Sequence, residues 1–258
     1  MGGALLEGLI ARGFDPARVR VQDPSPPNDV AALLARHGIA AEARVENLPS
    51  PPGVVLAAVK PQMMDAVFPA VAALAGPDTL VVSIAAGRTL ESFETHLAPG
   101  AAVVRAMPNT PAAVGRGITV CVANESVTPA GRAICEALMS AVGEVAWVED
   151  ETLMDAVTAI SGSGPAYVFL LAECLAKAAV AVGLDGALAR QLARATVSGA
   201  GELLAQSDLD AAQLRRNVTS PGGTTAAALD VLMAKGGMED NLREAVVSAV
   251  VRSRELAK

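Results

Sequence analysis

Between residues 54 and 148, short apolar runs alternate with segments of helical spacing, and this alternation restricts the fold more than any other feature. Val54 to Val59 reads V-V-L-A-A-V, a continuous run of the kind a strand buried on both faces shows. Lys60-Pro61 ends it, and Pro61 suits the first turn of a helix running through Leu74. Leu80 to Ile84 is a second such run; it closes in Ala85-Ala86-Gly87 and leads into a helix from about Thr89 to Leu97. Val103-Val104 is a third, and Ile118 to Val122 and Val145 to Val148 are two more, with a helix from about Thr128 to Val142 between them. Upstream, Leu5, Leu6, Leu9 and Ile10 fall at helical spacing, with Gly13 as the stop. Val19 to Val21 is a short strand ending at Asp23-Pro24, and Asn28 or Asp29 can cap a helix through His37, closed by Gly38. Strands alternating with helices predict a parallel α/β sheet.

After Val148 the strand pattern stops, which divides the chain into 1–149 and 150–258. Asp150 or Thr152 can cap a helix through Ile160, and Ser161-Gly162-Ser163-Gly164-Pro165 interrupts it. That stretch reads as a helix breaker or as a ligand contact, and the breaker explains it with less. The helix from Pro165 to Val182 carries only Glu173 and Lys177 as charges, so it is expected to be buried between subunits. Helices follow over Ala187 to Ala205, after an Asp208 cap, over Thr225 to Lys235 and over Glu239 to Leu256.

Composition removes several classes. A net charge of −7 without a Lys/Arg cluster argues against a nucleic-acid partner. Cys121, Cys135 and Cys174 make no disulfide framework and fit a reducing, cytoplasmic setting. His37 and His96 lie far from any cysteine, so no metal site is expected. The most apolar run, 167–182, is interrupted by its two charges and is too short to span a bilayer, and no membrane partner is expected.

In a parallel sheet, ligands sit beyond the carboxyl ends of the strands. Four ends here carry unusual residues: Asp23-Pro24-Ser25, Val59-Lys60-Pro61, Ala85-Ala86-Gly87 and Met107-Pro108-Asn109-Thr110-Pro111. Together they favour a nucleotide cleft. A dinucleotide fold also needs a first strand and a glycine-rich turn before its first helix. Met1-Gly2 fits only the tail of G-x-G-x-x-G, with Gly2 as the third glycine. The expectation is that the first strand and most of that turn are missing, that Val21 and Val55 border a gap, and that cofactor binding is poor.

The second candidate site is Asn217 to Thr225, N-V-T-S-P-G-G-T-T. Ser220-Pro221 favours a turn, and Gly222 and Gly223 let a ligand approach the backbone amides. Thr224 and Thr225 then open a helix, whose free N–H groups suit a carboxylate. Ordinary capping explains the threonines equally well.

Six motifs in order resemble those of the pyrroline-5-carboxylate reductase family: M-G-G-A-L-L-E-G-L at 1–9, A-V-K-P-Q at 58–62, V-V-S-I-A-A-G at 81–87, R-A-M-P-N-T-P at 105–111, S-G-S-G-P-A-Y-V-F at 161–169 and N-V-T-S-P-G-G-T-T at 217–225. The resemblance runs the length of the chain. It implies a nicotinamide-binding Rossmann domain, a helical domain through which subunits dimerise, and larger rings of dimers in some members. It implies reduction of 1-pyrroline-5-carboxylate to proline, the last step of proline synthesis. By the resemblance Lys60, Pro61, Ala85, Ala86, Gly87 and Asn109 are cofactor residues, and the glycine-turn and strand-end readings add Met1, Gly2, Ser25 and Val59. Ser220, Gly222, Gly223, Thr224 and Thr225 bind substrate, with Thr225 and Ser220 catalytic; Thr225 is the hydroxyl expected on the ring nitrogen. Asp23 after its strand suits the ribose of NADH, but Ser25 can accept a 2′-phosphate and the family commonly uses NADPH, so the reading leans to NADPH. Two rivals remain: a β-hydroxyacid dehydrogenase, although no lysine follows Gly162-Ser163-Gly164 within two turns, and a non-catalytic dimer that lacks cofactor binding.

Overall fold

The computed structural model describes residues 1–46 and 48–256. Packing divides them into two compact units, Met1–Gly162 with Val250–Lys258, and Ser163–Ala249.

The first unit is built on a five-stranded sheet. In chain order its strands are β3 (Val54–Ala57), β4 (Leu80–Ser83), β5 (Ala102–Pro108), β6 (Gly117–Ala123) and β7 (Gly143–Trp147), and they lie side by side in the same order. A separate parallel pair joins β1 (Val21–Gln22) to β2 (Ala41–Glu42). The sequence reading located the other strands and missed β2. Among the described residues no strand pairs with the outer edge of β1 or of β3.

One pairing departs from the expected parallel sheet. β5 and β6 are antiparallel, whereas β3–β4, β4–β5 and β6–β7 are parallel. The connection explains it. Between β5 and β6 there is only a 3₁₀ turn, Thr110–Val114, followed by Gly115 at φ +69. A connection that short can return the chain only antiparallel, because a parallel neighbour needs a crossover.

Side-chain alternation along the strands sends two sets of residues to opposite faces. Val55, Val81, Val103 and Val122 pack with Met64 and Phe68 of α3 (Met64–Ala72) and Phe93 of α4 (Leu90–Glu94). Phe68 and Phe93 meet edge to face at 4.9 Å. Leu80, Val82, Val104 and Cys121 pack with Leu5 of α1 (Gly2–Ala11) and with Cys135 and Met139 of α5 (Pro129–Met139). Each fully buried side chain of this size contributes about 1.5–3 kcal/mol, so both helical layers are held firmly to the sheet. The helix α2 (Asn28–Arg36) lacks the expected side-chain cap, its N-cap being Pro27.

The chain beyond β7 stays with this unit as far as Gly162. Glu151 accepts from the Leu90 amide at 2.9 Å and from Arg105 Nη1 at 2.8 Å, and Met154 is buried in the first core. A short helix α6 (Met154–Val157) does not end before Ser161. It widens into a π turn over Thr158–Gly162. Thr158 and Ser161 donate their hydroxyls back to the Met154 and Val157 carbonyls, which competes with the regular ladder.

The second unit is helical. It holds α7 (Gly164–Ala181), α8 (Gly186–Gln206), α9 (Ala211–Asn217), α10 (Thr224–Leu232) and most of α11 (Met238–Leu256). The cap of α9 is Asp210, not Asp208, because Asp210 Oδ1 reaches the Gln213 amide. Only Ala189 and Ala193 are buried in this unit among the described residues, while Phe169, Leu170 and Val180 of α7 are more than half exposed. Glu151–Ala181 is a helical stretch long and apolar enough to cross a bilayer by length and composition, contrary to the expectation from residues 167–182 alone. The π turn is the cause, since it joins the preceding turns to α7.

Candidate active site

The N-terminus of α1 is the first half of the candidate site. Its N-cap is Met1, no side chain caps it, and its first turn holds no acidic residue. The leading N–H groups are therefore open to an anion. A Cβ on Gly2 would lie 3.1 Å from Ala58 Cβ. The helix start rests against the end of β3 at glycine distance, which is the role of the third glycine in a dinucleotide turn. This open end fits a dinucleotide pyrophosphate.

The other sequence-expected cofactor residues surround strand ends of the same unit. Val59 packs its side chain on the core. The Lys60 carbonyl accepts from Met63, and Pro61 occupies the first position of a 3₁₀ turn, Pro61–Met63. Ala85 is buried with its amide on Ser83 Oγ, Ala86 is exposed, and Gly87 adopts φ +72. Asn109 is used internally on both sides: its Oδ1 accepts from the Ile118 amide and its Nδ2 donates to the Ser161 carbonyl. It ties β5 to β6 and to the π turn. Ser25 donates its amide to Asp23 Oδ1 at 2.9 Å.

Arg88 was not foreseen. It pairs with Asp65 of α3, and its buried Nε has no hydrogen-bond partner among the described residues. A cation with a free donor beside the Ala85–Gly87 strand end also suits a phosphate-bearing ligand. The signal was present as the one basic residue directly following that strand end.

In the second unit, Ser220 to Gly223 forms a tight turn closed by the Gly223 amide on the Ser220 carbonyl at 3.0 Å. Pro221 holds the second position and Gly222, at φ +67, the third. That is the residue pattern of a type II turn. Gly223 is then the N-cap of α10 and offers no side chain, so Thr224 and Thr225 lie inside the first turn and do not cap it. Neither hydroxyl makes a hydrogen bond among the described residues, and neither does the Ser220 hydroxyl. The Ser220 hydroxyl lies 3.1 Å from where a Gly223 Cβ would stand. Thr219 and Asn217 are engaged with α9. The arrangement presents open amides and three unengaged hydroxyls, of Ser220, Thr224 and Thr225, at a helix N-terminus. Such a terminus binds a carboxylate and can hydrogen-bond a neighbouring ring atom. Ser161 and Gly162, by contrast, serve packing: Ser161 is doubly bonded, and a Gly162 Cβ would lie 2.7 Å from Met107 Cε.

The fold and these two sites define a two-unit nicotinamide-type oxidoreductase with a helical second unit. Residues 151–256 match the family model described as pyrroline-5-carboxylate reductase dimerisation, and residues 1–87 match one described as NADP oxidoreductase, coenzyme F420-dependent. A pyrroline-5-carboxylate reductase of Pseudomonas aeruginosa is 41% identical over 100% of this chain and 94% of its own length. Another, from Synechocystis, is 49% identical over 80% of this chain and 75% of its own. The structure of the Coxiella burnetii enzyme superposes with a TM-score of 0.91 at 37% identity, covering 99% of this chain and 94% of that one. The Plasmodium falciparum enzyme, solved with NADP bound, gives a TM-score of 0.82 at 29% identity over 100% and 95%. The chain belongs to the pyrroline-5-carboxylate reductase family.

Proposed function

We propose that the protein reduces 1-pyrroline-5-carboxylate to L-proline with a reduced nicotinamide dinucleotide, the last step of proline synthesis. The observation that carries this reading is the uncapped start of α10, where open amides and the unengaged hydroxyls of Ser220, Thr224 and Thr225 lie together. The amides of Gly222 and Thr224 hold the substrate carboxylate, the Gly223 amide closes the turn on the Ser220 carbonyl, the left-handed Gly222 sets that turn, and Ser220 adds a hydroxyl donor. Thr225 hydrogen-bonds the ring nitrogen. A cyclic imine protonates near neutral pH, so a hydroxyl suffices where a carbonyl would demand an acid. The lack of a lysine in the first turns of α7 speaks against a β-hydroxyacid dehydrogenase, whose acid resides there.

In the first unit the open start of α1, with Met1 and Gly2, holds the pyrophosphate. Val59 to Pro61, Ala85 to Gly87 and Arg88 line the strand ends, and Asn109 keeps its end of β5 in place. The bound cofactor supplies a hydride to the C=N carbon. Orientation of that carbon is the protein's main contribution to the transfer. NADPH is the reductant that the resemblance and the NADP of the Plasmodium relative bring forward first. The turn at Asp23 bears on that choice.

The second copy of the chain is the partner that covers α7. A helix with no buried residue in eighteen positions requires one, and sedimentation distinguishes a dimer from a ring of dimers. The net charge of −7 supports a small anion bound at local N–H groups over a nucleic acid. Buried free thiols at Cys121 and Cys135 support the cytoplasm. The test is consumption of reduced nicotinamide with 1-pyrroline-5-carboxylate and with 1-pyrroline, which lacks the carboxylate. The expected loss in kcat/KM for the second is about a hundredfold, the scale of a charge-assisted contact. Equal turnover of both would remove the α10 loop from substrate binding, and turnover of neither would remove the reading itself.

A further inference from the structure

We propose that Asp23 makes this chain prefer NADH over NADPH, by accepting the 2′-hydroxyl of the adenosine ribose and repelling a 2′-phosphate. The proposal rests on the nicotinamide reading above. Asp23 directly follows β1, the first strand after α1, and stands about 20 residues beyond Gly2, the spacing at which an acidic side chain meets that ribose. The loop it begins leads into α2, whose Val30 lies against α1: a Cβ on Gly3 would stand 2.8 Å from Val30 Cγ2. The helix that the turn leads into therefore packs, through Val30, on the helix start that holds the pyrophosphate.

The charges on this turn are the wrong ones for a phosphate. Asp23 Oδ1 accepts the Ser25 amide at 2.9 Å, which removes the backbone donor that Ser25 would otherwise offer. Its second oxygen has no partner among the described residues and is free for a hydroxyl. The Asp23 amide is taken by the carbonyl of Glu42, so a second carboxylate residue stands on the neighbouring strand. Of the nearby cations, Arg20 precedes β1 and lies at its opposite end, and Arg44 is paired with Glu46 at 3.6 Å. A 2′-phosphate carries close to two negative charges at neutral pH. It would meet Asp23 with no unpaired guanidinium on the turn, and like charges at contact distance disfavour each other strongly outside bulk water.

The Arg44–Glu46 pair is exposed and weakly held, so Arg44 is the residue a 2′-phosphate would recruit, and it enters the test. Calorimetric titration of the purified chain with NADH and with NADPH, in the absence of substrate, reads affinity without turnover. NADH is expected to bind at least about tenfold more tightly. Asp23→Ser, whose hydroxyl can still cap the turn, is expected to bring the two affinities within about threefold by improving NADPH. Arg44→Ala is expected to leave the ratio unchanged. Tighter or equal binding of NADPH to the unaltered chain overturns the proposal alone. So does an unchanged ratio in Asp23→Ser at an unchanged melting temperature, or a loss confined to NADPH in Arg44→Ala. Binding of neither cofactor overturns this proposal together with the nicotinamide reading.

Discussion

Replacing Glu151 by alanine leaves the Arg105 guanidinium in the sheet with nothing opposite it. Arg105 rises from β5 with its side chain 6% exposed, and Glu151, 28% exposed, holds it at 2.8 Å while also accepting the amide that opens α4. Breaking a buried pair on one side costs about 3–5 kcal/mol, because the remaining charge stays desolvated. Water reaching the partly exposed Glu151 position lowers this to about 2–3 kcal/mol, and the lost bond to Leu90 adds about 0.5–1.5 kcal/mol. A total of about 2.5–4.5 kcal/mol corresponds to a fall in the unfolding midpoint of roughly 5–18 °C for a chain of this size. Glu151→Gln keeps an acceptor for Leu90 and loses only the charge, so its loss is smaller. The double change Arg105→Met with Glu151→Leu removes both charges and recovers most of the stability. Thermal unfolding of the three variants followed by circular dichroism is the assay. A shift under about 2 °C for Glu151→Ala, or a double variant no more stable than the single, refutes the account of this pair as a buried tie.

Thr225→Ala is expected to lower turnover by roughly tenfold to a thousandfold, the range for losing a positioned hydrogen bond, and steady-state rates equal to those of the unaltered enzyme would dismiss that role. Phe169→Glu places a charge on the exposed apolar face of α7. Light scattering is expected to show dissociation to monomers, and an intact dimer would mean that α7 lies outside the interface. Hydrogen bonding to Cys135, whose sulfur is 4.0 Å away, and burial push the Cys121 thiol far above its ordinary range. Iodoacetamide at pH 8 is therefore expected to spare Cys121 and Cys135 in the folded protein and to modify them in denaturant. Cys174 lies on α7 and is exposed in the single chain, so its labelling should rise as the dimer is diluted; rapid native labelling of Cys121 would contradict the burial argument.

Much of the architecture was legible in local chemistry. Val54 to Ala57 and Leu80 to Ser83 read as strands because an uninterrupted apolar run suits only an element covered on both faces. Pro61, Gly13 and Gly38 marked boundaries because their backbone preferences act within a residue or two. The S-P-G-G order at 220–223 encoded a type II turn by the same local rule, and the motif series carried the family. Other features were settled only by contacts between distant residues. The two-residue β2 has no periodicity to detect and exists through its pairing with β1. The reversal of β6 follows from a connection too short to cross the sheet. Asn109 bonds Ile118 and Ser161, partners the sequence does not reveal, and Ser161-Gly162 widens a helix instead of stopping it, because Asn109 and Met107 of the β5 segment stand against it. The threonines of α10 could have been caps or ligand donors on sequence alone, and backbone geometry made Gly223 the cap and left both hydroxyls unengaged among the described residues. The sequence by itself determined which segments are strands, helices and turns, since those preferences are short-ranged. Tertiary structure decided which polar groups remain unpaired, because pairing depends on partners that lie far away along the chain.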